Sequence, residues 1–204
     1  MKMPENTGGD YELVPGGTHI AICYRFIDLG TQQVEWAGNI KHQRKVLISW
    51  ELPDELMADG RPFAISQRYT FSSHERSNFR KALESWRGVP FEDSDFGEGG
   101  FDTKNLLGVP CLLTIVHNEK GDRTYANIRS VVKVPKGTEV KPQHNPSVYL
   151  TFEDPQTVEA AWESLSDNLR ETIRKSPEYQ AFQASGNPEP ATVGEDLDDE
   201  IPFR

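Results

Sequence analysis

Cationic and aromatic side chains alternate within several short stretches of this chain, and their combination suits one kind of chemistry. Cations replace the counterions of a nucleic-acid backbone, and flat rings provide faces on which unpaired bases stack. Tyr24-Arg25-Phe26 and Gln67-Arg68-Tyr69 are two such stretches. The candidates for contact with a nucleic acid are Arg25, Trp36, Lys41, Arg44, Lys45, Trp50, Arg68, Tyr69, Arg123, Tyr125 and Arg129.

The same residue types also build ordinary sheets, so each position has a competing structural interpretation. Four of the aromatic residues suit a folded core better than a binding surface: Tyr24, Phe26, Tyr69 and Phe71. An arginine in a half-exposed strand is usually solvated surface. Trp36 stands in a polar stretch and Tyr125 shares a strand face with Arg129, so base stacking is as good an interpretation for these two rings as a structural role.

The charge of the chain bears on whether it could bind a nucleic acid at all. Its 204 residues include 22 Lys and Arg against 32 Asp and Glu, a net charge of −10 that at face value argues against such a partner. The excess acid is unevenly placed, because residues 21–139 contain 16 basic and 16 acidic residues whereas residues 140–204 contain 5 and 13. A neutral region can still concentrate positive potential on one face.

Motifs typical of catalytic and metal sites do not occur in this sequence. The five histidines are scattered without metal-ligand spacing, and there is no GxSxG, Walker or dinucleotide-binding glycine motif. Glu92, Asp93, Asp95 and Glu98 share one loop but lack the spacing of an EF-hand, so we expect a solvated loop. The sequence therefore predicts a protein without catalysis, cofactor or bound metal.

Cysteine use and hydropathy bear on the compartment. Cys23 and Cys111 lie far apart in apolar segments, which predicts reduced thiols in a core. The first residues contain no apolar stretch typical of a signal peptide, and no window approaches 18 consecutive apolar residues. These features predict a soluble, cytoplasmic protein.

Alternation of apolar and polar residues predicts five strands, with one helix among them. Ser72 and Glu75 fit a capping box at the start of that helix, and Gly88 fits its C-terminal cap. A polar loop is predicted after the first strand. The predicted strands cover residues 18–29, 44–52, 63–71, 109–118 and 124–134. The order β-β-β-α-β-β is that of an OB-fold, a five-stranded barrel that binds oligonucleotides, and we assign it to residues 11–138.

Residues 139–185 are predicted to form a linker and a helical segment. Asp154 followed by Pro155 is a typical helix start, and Ser176-Pro177 restarts a shorter helix. One apolar stripe follows the first start: Val158, Trp162, Leu165, Leu169 and Ile173. Either the barrel or the same helix of a second copy in a homodimer must cover it, and both remain open. Residues 186–204 are rich in Pro, Gly and acid and are expected to be a disordered tail.

The chain ends in a short acidic motif that we term the acidic tip: Asp198, Asp199, Glu200, Ile201, Pro202 and Phe203. It resembles the tip of bacterial single-stranded DNA-binding proteins, in which several acids precede an aliphatic residue, Pro and Phe. The resemblance implies that these residues bind partner proteins, with the acids on a basic rim and the apolar side chains in a pocket. The family ends on Phe, whereas Arg204 follows here and moves the terminal carboxylate one residue on.

Three segments resemble a family of phage-encoded proteins found among replication and recombination functions: YELVPGGTHIAICYRFIDLGTQ, KVLISWELPDE and NLLGVPCLLTIVH. This resemblance covers most of residues 11–134 and implies a role in DNA metabolism inside a bacterial host cell. We therefore expect a phage single-stranded DNA-binding protein that coats and protects single-stranded DNA in replication, recombination and repair. Its acidic tip would recruit host or phage enzymes. The alternative is an interaction protein that binds no DNA and imitates the host protein's tip to capture its partners.

Overall fold

The structure, a computed structural model, describes residues 12–36 and 38–186. These residues form a mainly β architecture with six strands and four α-helices. The strands are β1 (Gly17–Trp36), β2 (Asn39–Leu56), β3 (Pro62–Thr70), β4 (Pro110–Lys120), β5 (Arg123–Val132) and β6 (Val148–Leu150). The helices are α1 (Asn78–Arg87), α2 (Pro155–Trp162), α3 (Asp167–Arg174) and α4 (Pro177–Ala184).

Five strands form one antiparallel sheet in the order β3-β2-β1-β4-β5, and the short β6 pairs in parallel with β1. The two ends of this order, β3 and β5, do not pair with each other within the described residues, so the sheet is open. Register shifts between Cys23 and Arg25 and between Asp28 and Gly30 are irregularities of the kind that bend a strand. They allow β1 to curve around the core.

The first two strands are longer than the sequence predicts. The polar stretch after residue 29 is predicted as a loop, but β1 and β2 continue as a paired ribbon up to Trp36 and Asn39. Gly38, in the turn between them, has a φ of 76°, which favours glycine. Many of the ribbon's side chains are exposed, so its strands need no apolar alternation. The loop prediction is wrong for that reason.

Helix α1 begins later than the sequence predicts. Ser77 is its N-cap, because the Ser77 hydroxyl oxygen accepts a hydrogen bond from the Phe79 amide at 3.2 Å. The predicted capping box at Ser72 is wrong, since the chain makes a further turn before the helix starts. Gly88 has a φ of 74° and donates to the carbonyl oxygen of Glu84, which confirms it as the C-terminal cap.

The larger core lies between the concave face of the sheet and α1. The Phe79 ring of α1 packs against Tyr69 of β3, with ring centroids 5.8 Å apart. Just beyond β5, the Lys133 amide donates to the carbonyl oxygen of Ser85 in α1. Helix α1 therefore contacts both edges of the open sheet and lies where they approach each other.

The opposite face of β1 and β2 is covered by the helical segment. Ile27, Leu29 and Leu47 share a second core with apolar residues of β6 and of α2, α3 and α4. That core includes most of the predicted stripe: Val158, Trp162, Leu165 and Ile173. The chain itself thus covers its stripe. Gly30 makes this approach possible, because a Cβ at that position would collide with the side chain of Ser176.

The helical segment consists of three short helices. The stretch predicted as one helix from Asp154 is interrupted at residues 163–166, and the turn there allows α3 to contact β1 as well. Both predicted starts are confirmed, with α2 beginning at Pro155 and α4 at Pro177. None of the helices in the described part of the chain is long and apolar enough to cross a membrane.

Candidate nucleic-acid interface

A groove runs along the open side of the sheet, between β3, α1 and β5. It consists of two adjoining cavities of about 390 and 440 Å³ that share Gln67, Tyr69 and Asn78. One cavity spans from β3 across α1 to β5, and the other continues over β3 to the residues that precede α1. We term this surface the cationic groove, because its lining includes Lys45, Arg68, Arg76, Lys81 and Arg129.

The positive charge of the cationic groove is not balanced by acids of the part of the chain that the structure describes. Among the described residues, no Asp or Glu lines either cavity. Arg68, Lys81 and Arg129 are exposed and form no ion pair within residues 12–36 and 38–186. Five cations on one surface of a protein with a net charge of −10 create a local positive potential, which favours an anionic ligand.

Lys45 illustrates this excess of positive charge. Its Nζ donates to the side-chain oxygens of Gln43 and Thr70, each at 2.7 Å, and both acceptors are neutral. Partial burial lowers the pKa of the Lys45 amine, because the charged form loses solvation. A phosphate oxygen at this position would supply the missing negative charge.

The floor of the groove also offers hydrogen-bonding groups. The side-chain oxygen of Gln67 is buried and has no hydrogen-bond partner among the described residues. Leaving a buried acceptor unsatisfied costs about 1–3 kcal/mol. An N–H donor on a bound ligand would remove that cost, and the edges of nucleobases carry such donors. The groove therefore has groups for both the backbone and the bases of a strand.

The hairpin of β4 and β5 presents further predicted residues. Arg123 and Arg129 are exposed on β5, and the Tyr125 side chain between them is 46% exposed. At about 3.3 Å per strand residue, Tyr125 lies about 13 Å along β5 from Arg129, which lines the cationic groove. The exposed Tyr125 ring can stack a base of a strand that leaves the groove along this hairpin.

Two predicted stacking residues belong to the core, and we correct their assignment. The Trp50 side chain is 1% exposed and packs against Trp86, with ring centroids 5.8 Å apart. Tyr69 reaches the floor of the groove but is buried too, and burial raises the pKa of its phenol. Both rings belong to the inward-facing set of their strands, so neither presents a face to a base.

Two predicted arginines are engaged by the protein itself, and we correct these as well. Nε of Arg44 donates to both carboxylate oxygens of the buried Asp28, at 3.3 and 3.2 Å. Arg25 lies over the Tyr24 ring and donates to the carbonyl oxygen of Ser164, beside the helical segment. These contacts stabilise the packing of β1 and β2 against the helices. The two arginine side chains are not part of the groove lining.

The remaining predicted residues lie on the ribbon or outside the described residues. Lys41 is exposed on β2, in the ribbon. Trp36 is the last residue of β1, and the structure does not describe its side chain. The acidic tip, from Asp198 to Phe203, lies outside the described residues together with the rest of 187–204.

The structure adds groove residues that the sequence patterns did not single out. Arg76 precedes α1 and Lys81 lies on its exposed side, and both line the groove. Their signal was the amphipathic pattern of residues 76–87, in which cations alternate with the apolar residues that face the core. The cationic candidates predicted from the sequence lie on strands and loops, so the polar face of α1 was not among them.

Groups for other chemistry do not assemble in the described residues. No group of three or more His, Cys, Asp or Glu there could hold a metal ion. In the acidic loop, Asp95 accepts from the Glu92 amide and pairs with Arg87 at 3.4 Å. Cys23 and Cys111 are free and buried, and burial raises the pKa of the Cys23 thiol to about 12. A thiol with that pKa is not a nucleophile near neutral pH.

Comparison with known proteins assigns no role to this site, so its interpretation depends on the geometry described above. The sequence matches no protein-family model and no curated protein.

Proposed function

We propose that this protein binds single-stranded DNA along the cationic groove and so keeps transient single strands unpaired and protected. One observation carries the proposal: five cations from β2, β3, α1, β5 and the segment before α1 line a groove to which no described Asp or Glu contributes. Binding of this kind has low sequence preference and weakens strongly with salt. No catalytic step is part of the proposed function.

We further propose that the open sheet is an OB-fold. The support is its strand order, with β1 between β2 and β4, and the position of α1 between the third and fourth strands. OB-folds are partly open Greek-key barrels that bind oligonucleotides on their surface. The cationic groove lies at the opening between β3 and β5. A DNA strand bound there would contact α1 as well as the sheet.

The direct test is fluorescence anisotropy with a labelled oligothymidine of about 30 nucleotides, a length that exceeds the roughly 4–16 nucleotides bound per OB-fold. We expect tight binding in low salt, weaker binding in moderate salt and much weaker binding of a duplex of equal length. The titration is repeated with a chain lacking residues 195–204, so that competition by the acidic tail is controlled. Absence of single-strand binding in both chains at low salt would overturn the proposal.

The acidic tip is proposed to recruit replication, repair and recombination enzymes of a phage or its host. The support is its resemblance to the tip of bacterial single-stranded DNA-binding proteins. Removing residues 195–204 should keep or tighten DNA binding and abolish capture of those enzymes. If the full chain captures those enzymes but binds no DNA, the result would instead favour the alternative function, an interaction protein that imitates the tip of the host protein.

A further inference from the structure

A further cavity lies beside the cationic groove, and half of its lining residues are aromatic. We term it the aromatic pocket. Five phenylalanines line it: Phe71, Phe79, Phe91, Phe96 and Phe101. Its volume is about 320 Å³, at the lower end of the roughly 300–1,000 Å³ typical of small-molecule sites. A cavity of that size suits one small planar group rather than a large ligand.

The rings of the pocket are in contact with one another yet leave an accessible side. Phe71 and Phe79 have ring centroids 5.4 Å apart, and Phe91 lies 5.2 Å from Phe101. Phe71 follows the last residue of β3, and it is 38% exposed. The Arg44 guanidinium lies 5.7 Å from the centroid of this ring, so an incoming flat group would stack on the part of the Phe71 ring that Arg44 leaves exposed.

The charge of the pocket is already balanced. Arg80 lines it, but this guanidinium pairs with Glu84 at 2.8 Å and donates to the carbonyl oxygens of Ser73 and Phe91. The lining is otherwise apolar except for the hydroxyl residues Ser72, Ser73 and Thr103. The pocket therefore suits a neutral ring that has a few hydrogen-bonding groups at its edge, not a phosphate.

The aromatic pocket adjoins the cationic groove at one residue. Ser72 lines both the pocket and the groove cavity that contains Arg68 and Arg76. The two surfaces divide the chemistry of a nucleotide, because one attracts its phosphate and the other accepts a neutral flat ring. A strand held in the groove would bring its bases to the mouth of the pocket.

From this arrangement we propose that the aromatic pocket holds one nucleobase of the bound strand, turned out of the groove and stacked on Phe71. The inference rests on the proposed function, since the groove must first hold the phosphates. It assigns a second binding site to residues that are otherwise explained only as core.

The test compares two strands that differ only in their bases. Oligothymidine and an abasic strand of the same length carry the same phosphates, so the cations of the groove attract both strands alike and the strands differ only in what their bases contact. In Phe71→Ala, we expect oligothymidine affinity to fall by about 5- to 150-fold, the loss for one stacked base, with unchanged affinity for the abasic strand. Leu56→Ala, which also truncates an exposed apolar residue but outside the pocket, should change neither affinity.

A second variant guards against disturbance of the core. Ser73→Phe keeps all five rings and narrows the mouth of the pocket, and it should reproduce the selective loss for oligothymidine. Equal effects on both strands, or no effect of either variant while the wild-type protein binds oligothymidine, would overturn the pocket assignment alone. Failure of both the wild-type protein and the chain lacking residues 195–204 to bind either strand at low salt would instead overturn the proposed function, and the pocket assignment with it.

Discussion

Arg44 and Arg68 lie on neighbouring strands of one sheet, but they belong to two different regions. Arg44 is half-buried against the carboxylate of Asp28, in the region where β1 and β2 carry the helical segment. Arg68 is exposed in the cationic groove, where no described carboxylate lines the surface. The comparison shows that an arginine is available to a ligand only where the fold supplies no acid of its own.

The largest expected effect is a loss of stability when Arg44 loses its carboxylate partner. Asp28→Ala leaves the half-buried guanidinium and the Gly30 amide without their acceptor. Removing one partner of a buried ion pair costs about 3–5 kcal/mol, and because Arg44 is only half-buried the free energy of unfolding should fall by about 3 kcal/mol, the lower end of that range, in urea denaturation. Asp59→Ala, which breaks a solvent-exposed pair with Arg61, should change the free energy of unfolding far less. Equal losses in the two variants would contradict the structural role given to Asp28.

The second prediction tests the groove by removing two of its cations. Arg68→Gln with Arg129→Gln should weaken oligothymidine binding by about 3 kcal/mol, at about 1.5 kcal/mol for each charge-assisted contact. The slope of log affinity against log salt should fall by about 1.4, since each single-strand phosphate contact contributes about 0.7. Stability should change little, because both side chains are exposed.

The control for the groove is Lys136→Gln, which removes a positive charge at an exposed position that does not line the groove. It should leave the salt slope unchanged. A slope that responds equally to all three positions would mean that net charge rather than the groove governs binding.

The third prediction concerns the hairpin beyond the groove. Tyr125→Ala should weaken single-strand affinity by about 1–3 kcal/mol if the ring stacks one base, with an unchanged salt slope. The same measurement on Trp36→Ala decides the role of the other predicted ring. If the single-strand affinity is unchanged in either variant, the ring replaced in that variant stacks no base.

The smallest expected effect is a loss of stability at the N-terminus of α1, which can be measured separately from DNA binding. Ser77→Ala removes the N-cap of the helix and should lower the free energy of unfolding by about 1 kcal/mol, while Ser72→Ala should not. Both serines line the groove, so oligothymidine affinity reports in the same variants whether either hydroxyl touches the strand. A larger loss of stability for Ser72→Ala would restore the capping box predicted from the sequence.

Much of the local structure could be predicted because its causes are local. Apolar alternation identified the central parts of β1 to β5, and Gly88 identified the end of α1. The ribbon beyond Leu29 could not be found in this way, because two strands that stand apart from a core need no alternation. The start of α1 was misplaced because Ser72 and Ser77 are both of a residue type that caps helices, and the sequence pattern does not show that Ser77 is the one used.

Local sequence is enough to specify the central parts of β1 to β5, the presence of α1, the Pro-based starts of α2 and α4, and the separation of a neutral region from an acidic C-terminal part, but not the short strand β6. These depend on neighbouring residues and on composition. Which cations meet in the groove depends instead on tertiary contacts. Lys45, Arg68, Arg76, Lys81 and Arg129 converge because β2 pairs with β3 and α1 packs between the two open edges. Trp50 and Arg44 leave the predicted site because burial and a carboxylate partner depend on strand register, which no local pattern encodes.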